Sequence, residues 1–136
     1  MKNAVNTMHE FETFPMPWQT VLAMDSSTEF LSLALRTPAG LWQRDLPLGA
    51  QASEQILQQL DALLHESQTP WPALQLLVCG RGPGAFTGVR VAVAVCQGLA
   101  FSRGIPILPL SGLLALAENA RLTKNRPELP STFLAL

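Results

Sequence analysis

Two short stretches hold the residues whose types and spacing could do chemistry. The first is Asp25-Ser26-Ser27-Thr28, which closes the apolar run Thr20 to Met24. A carboxylate at the end of a buried strand can hold a metal–phosphate group. The same carboxylate can instead bond the N–H groups of its own turn, at Ser27 and Thr28. The second stretch is Cys79-Gly80-Arg81-Gly82-Pro83-Gly84-Ala85-Phe86-Thr87-Gly88-Val89-Arg90, with four glycines among the nine residues from 80 to 88. Glycines permit positive φ and close backbone approach, at an entropic cost an ordinary connection avoids. Between a strand and a helix, such a loop also aims backbone N–H groups at one spot, at the positive end of a helix dipole. It therefore either holds an anion or packs closely against something. Arg81 and Arg90 flank it and could grip an anion or a partner's carboxylate.

Several chemistries lose support at this level. Gly80 to Ala85 fits a relaxed dinucleotide fingerprint, but no Asp or Glu occurs between Ala85 and Glu118 to bind a ribose. No Gly-Lys-Ser/Thr follows, so the loop is not a Walker phosphate loop. His9 lies in an irregular N-terminal stretch and His65 at a helix end, and neither stands beside a plausible Ser or Cys nucleophile. No His, Cys or carboxylate cluster has metal-ligand spacing, so no metal site is expected. Cys79 falls in a strand pattern and Cys96 in a helix pattern. Both read as reduced, buried thiols of a cytoplasmic protein.

The elements that must position these residues follow from hydrophobic period. Apolar runs predict strands over 20–24, 30–36 and 41–46, joined by short turns and hence antiparallel. Ser53 is expected to cap a helix running to about Ser67, with Ile56, Leu57, Leu60, Leu63 and Leu64 as its apolar stripe. That helix is the crossover that lets a fourth strand, 75–79, lie parallel to an earlier one. A second helix is expected from Val89 to Arg103, with Val89, Ala92, Val93, Cys96, Leu99 and Ala100 on one face. Val91, Val95 and Phe101 fall elsewhere, so this helix is apolar nearly all round and needs cover on two sides. Gly98, Ala92 and Ala94 would admit another helix closely. Gly104 ends it. A fifth, proline-limited strand (105–110) and a last helix from Ser111 to about Leu122 follow, the latter with Leu113, Leu114, Leu116 and Ala117 inward. Residues 1–17 read as an N-terminal extension, and 123–136 as a linker and one more strand.

At 136 residues, 48% apolar and 14% charged, the chain is one domain with more apolar surface than a small monomer ordinarily shows. A formal net charge of -1 provides no global field for nucleic acid. No apolar run reaches the roughly 20 residues of a membrane helix.

The motifs also carry a resemblance. Met24 to Glu29, then Ser53-Glu54 opening a helix, then Gly80 to Arg90, then Gln97-Gly98-Leu99-Ala100 and Ile105-Pro106 resemble the TsaB (YeaZ) family of bacterial tRNA threonylcarbamoyladenosine biosynthesis. The resemblance runs from about Val21 to Leu136. It implies an α/β fold, one lobe of the actin-like ATPase (ribonuclease-H-like) type, with a mixed five-stranded sheet, three strands antiparallel and then two parallel, and flanking helices. It implies a non-catalytic partner subunit that binds the transferase TsaD, works with the ATPase TsaE, homodimerises when alone and meets tRNA indirectly, in the cytoplasm. On this reading Ser53, Ile56, Leu57, Leu60, Val89, Ala92, Val93, Cys96, Gln97 and Ala100 form the interface. Arg81, Gly82, Pro83, Gly84, Phe86, Thr87, Gly88 and Arg90 contact an anion or a partner. Asp25, Ser26, Ser27 and Thr28 are a vestigial phosphate loop, because nucleotide-binding relatives carry a glycine soon after that Asp. No cofactor is expected, a nucleotide being admissible only at the partner interface. Ala52 stands where the family often has His, and the metal-binding His pair of TsaD is missing. Residues 18–122 would be the first lobe, and 123–136 would lead into a second. The alternative is a phosphoryl-transferring or hydrolytic member of the same superfold, with Asp25 on Mg.

Overall fold

The structure, a computed structural model, describes residues 17–123. The expected N-terminal extension up to residue 16, and the expected linker and strand beyond residue 123, lie outside the described residues.

Five strands form: β1 (Val21–Asp25), β2 (Leu31–Thr37), β3 (Gly40–Leu46), β4 (Leu76–Gly80) and β5 (Ile107–Leu110). They make one sheet in the order β3-β2-β1-β4-β5. The short turns after β1 and β2 leave those neighbours antiparallel, and β4 and β5, each reached through a helix, run parallel to β1 and β4 respectively. The sheet is the one expected. β5 is shorter than expected because Pro106 lies just before it, its carbonyl accepting from Leu77 N–H at 3.0 Å. Pro109 is tolerated because β5 is an edge strand.

The helices are α1 (Ala52–Glu66), α2 (Phe86–Arg103) and α3 (Gly112–Thr123). Ser53 does not cap α1. A 3-10 turn at Gly49–Gln51 feeds straight into the helix, the N-cap position is Gln51 in a helical conformation, and no side chain caps it. The Ser53 hydroxyl donates back to Ala50 carbonyl at 3.4 Å. α2 starts three residues earlier than expected, at Phe86. It ends as expected on Gly104, at φ 65° in the left-handed region.

The register explains the core. Leu22 pairs with Leu35 and Leu77, and Met24 with Leu33 and Cys79, so these side chains share one face of the sheet. α1 packs on β2 and α2 on β4, and their residues Ile56, Leu60, Leu63, Leu64, Ala92 and Cys96 close over that face. At the sheet edge, Arg44 of β3 bonds Gln59 at 3.0 Å and Glu66 at 2.6 Å, which ties α1 down. The opposite face carries smaller and more polar residues: Ala23 against Ala34 and Val78, and Asp25 against Ser32.

α3 departs from expectation. Leu113, Leu114 and Leu116 were expected inward, yet all three are exposed, Leu114 by 60%. The helix is joined to the fold at its start, where Gly112 N–H donates to Gly82 carbonyl at 2.8 Å. Among the described residues none buries these leucines.

Candidate functional site

The two chemical stretches meet at the carboxyl ends of β1 and β4. Asp25 Oδ1 accepts from the Ser27 backbone N–H at 2.7 Å and from the Ser27 hydroxyl at 2.5 Å. This is the turn-bonded arrangement, with Ser27 supplying both donors. Thr28 instead accepts from Phe30 N–H at 3.1 Å. Ser26 donates its hydroxyl to the carbonyl of Gly88 at 2.5 Å. Ala85 N–H donates to Ser27 carbonyl at 2.7 Å, just before α2 opens.

The glycines follow from these contacts. A Cβ on Gly80 would overlap the Asp25 carboxylate, on Gly84 it would overlap Ser27, and on Gly88 the Ser26 carbonyl. Gly82 also needs its positive φ of 86°, and the Gly82–Pro83 peptide is cis. Gly80, Gly84 and Gly88 therefore serve close packing: the loop is clasped against the Asp25–Ser27 turn. Arg81 holds β5 through its backbone, N–H to Leu110 carbonyl at 2.9 Å, and is exposed. Arg90 does not turn toward the loop glycines. Its guanidinium lies over the exposed Phe86 ring, 3.7 Å from the centroid. Pro83, Phe86 and Thr87 are also exposed.

The expected interface divides in two. Ile56, Leu60, Ala92 and Cys96 belong to the chain's own core, at most 1% exposed, and cannot meet a partner. A full apolar stripe on each helix predicted the wrong half, because a stripe that reaches a sheet is used up by it. Ser53, Leu57 and Gln97 are exposed, and Val89, Val93 and Ala100 are half-buried. On α2 the exposed residues include Thr87, Arg90, Ala94, Gln97, Gly98 and Phe101. Stepping by three, four, seven or eleven residues keeps them on one face. Phe101 is 94% exposed and Leu57 on α1 57%. A Cβ on Gly98 would meet nothing. Phe101 was not assigned to the interface from the sequence, although its spacing from Arg90 and Ala94 places it on the same outward face of α2.

Burial pushes the Cys79 thiol up, and the Cys96 thiol more strongly. Such thiols are poor nucleophiles. Among the described residues no three His, Cys, Asp or Glu side chains gather as metal ligands, and no helix is long and apolar enough to cross a membrane.

A turn-bonded Asp, a glycine loop clasped to it and a β-β-β-α-β-α-β-α order define a lobe of the actin-like, ribonuclease-H-like class. The family model for TsaD, tRNA N6-adenosine threonylcarbamoyltransferase, matches residues 48–136. The chain belongs to that family, and within it to the TsaB (YeaZ) group. It is 39% identical over 101 residues to the tRNA threonylcarbamoyladenosine biosynthesis protein TsaB of Haemophilus influenzae, covering 74% of this chain and 43% of the relative. The TsaB of Escherichia coli is 33% identical over 100 residues, covering 74% and 43%. The solved structure of YeaZ from Pseudomonas aeruginosa superposes with a TM-score of 0.76 at 37% identity, covering 79% of this chain and 50% of that one. The chain thus spans about half the length of the relatives it matches.

Proposed function

We propose that this chain is a scaffold subunit of tRNA N6-threonylcarbamoyladenosine modification, with no catalytic centre of its own. It docks a TsaD-type transferase, reaches a TsaE-type ATPase through the complex, and meets tRNA indirectly. Alone, it pairs with a second copy through the same surface. The observation that carries this reading is the outward face of α2. A glycine in mid-helix costs about 1 kcal/mol relative to alanine. Gly98 incurs that cost although, among the described residues, a Cβ there would meet nothing within 4 Å, and it lies near an almost fully exposed Phe101. A closely approaching partner helix gives both a purpose. Leu57 of α1 extends the face.

The commitment of Asp25 to Ser27 supports a scaffold over a phosphoryl-transfer enzyme, since a carboxylate bound by its own turn is not poised for Mg. Sedimentation velocity tests the surface. The parent chain is expected to sediment as a dimer, and Leu57→Glu as a monomer with an unchanged circular dichroism spectrum. A Leu57→Glu chain that still dimerises places the interface elsewhere.

A further inference from the structure

Arg90 carries a charge that no acid of its own fold answers. The two ion pairs among the described residues involve Arg44 and Arg121, not Arg90. No Asp or Glu occurs in the sequence from Ala85 to Ala117. Near the positive end of the α2 dipole, a cation does not favour its own helix either. Its guanidinium is nevertheless held in place, 3.7 Å from the centroid of the Phe86 ring one turn back. Phe86 is 70% exposed, so the stack stands in water. A stacked guanidinium keeps the N–H groups along its edge free for a carboxylate. A side chain already held in place also loses less entropy on binding.

The footing of this pair comes from β1. α2 starts at Ala85 with no side-chain cap and no acid in its first turn, so it does little to fix its own beginning. The buried Ser26 does so from outside, its hydroxyl donating to the carbonyl of Gly88, which stands between Phe86 and Arg90. Ala85 N–H, bonded to Ser27 carbonyl, fixes the same start. Along the exposed side of α2, Arg90 lies one turn before Ala94 and two before Gly98, where small side chains admit a second helix. We propose that Arg90 is the specificity-determining residue of the α2 docking face, and that Ser26 is its positioning residue. The occupant is a partner helix that lies over Ala94 and Gly98 and brings an aspartate or glutamate to the Arg90–Phe86 pair. A partner with lysine or arginine at that place is rejected by like charge. The inference rests on the docking reading of α2 and adds the chemistry that the docked helix must carry.

The test titrates a TsaD-type transferase into the parent chain and into Arg90→Ala, Arg90→Lys and Arg90→Glu, with binding read by sedimentation. Arg90→Ala is expected to weaken association about tenfold or more, and Arg90→Glu further. Arg90→Lys should recover only part, because it keeps the charge without the forked contact. Added salt should weaken the parent more steeply than Arg90→Ala. The thermal midpoints of these exposed-site variants should stay at the parent's value. Ser26→Ala is expected to weaken association several-fold in the parent and not at all in the Arg90→Ala background. Equal weakening in both backgrounds would mean that Ser26 acts only on the fold, and overturns its positioning role. Arg90→Glu binding at the parent's affinity while Leu57→Glu fails overturns the proposal and leaves the docking face standing. Leu57→Glu binding like the parent while Arg90→Glu fails keeps Arg90 as the selector and moves the rest of the face. A parent that does not bind, or both variants binding like the parent, overturns both.

Discussion

Gly88 shows how a single residue can serve packing while looking like a ligand loop. Its carbonyl accepts the Ser26 hydroxyl, and its missing Cβ leaves the space that the Ser26 carbonyl fills. Gly88→Ala should therefore push the clasp apart, at about 1–3 kcal/mol by urea unfolding, as overpacking typically costs. A neutral substitution would mean the two turns are not in contact. Because the Asp25 carboxylate is held by Ser27, titration calorimetry with Mg-ATP is expected to show no saturable heat. Binding that disappears in Asp25→Ala would restore the enzyme reading. The thiols give a pH prediction. Burial raises the Cys96 pKa in the folded chain, so the folded state holds that proton more tightly than the unfolded one. The stabilisation is complete below the ordinary thiol value of 9.0 and is lost as pH rises above it. The stability difference between the parent and Cys96→Ala should narrow in that alkaline range and stay constant below it. At this scale the sequence was legible in residue type but not in use. Four glycines announce close approach, yet only the fold shows that Gly80, Gly84 and Gly88 approach Asp25, Ser27 and Ser26. Nothing local in Gly80 reveals that it makes room for a carboxylate 55 positions away.

Elements were more legible than contacts. Strand periods and turn lengths were enough for the strand directions, because antiparallel neighbours need only short turns and parallel ones need a crossover helix, but not for which earlier strand β4 joins. Helix faces were harder. The stripe of α1 and α2 identifies what is apolar, and the sheet takes the best of it, leaving a thinner outer face of Leu57, Ala94, Gly98 and Phe101. The α3 leucines misled in the opposite sense, because a stripe predicts burial, yet among the described residues none buries them. Gly98 offers a test of the α2 face that separates docking from folding. Gly98→Gln adds helix propensity where a side chain meets nothing, so the thermal midpoint should hold or rise, by up to about 1 kcal/mol of stability. The same side chain should block a closely packed partner helix. Self-association that survives Gly98→Gln would show that no helix approaches there.

Among the described residues, one face of the sheet is closed by two helices and the other is largely uncovered. Its closed side carries an outward helical surface, and its open side carries an unburied helix and a hollow lined by Asp25 and Asp45. The central claim is that the first of these surfaces docks a TsaD-type transferase while the chain supplies no catalytic group. The most direct test is sedimentation of this chain mixed with such a transferase, comparing the parent with Gly98→Glu and Leu57→Glu. The parent is expected to co-sediment with the transferase, and both variants, folded and thermally stable, to sediment apart from it. Co-sedimentation of both variants at the parent's affinity would contradict the account.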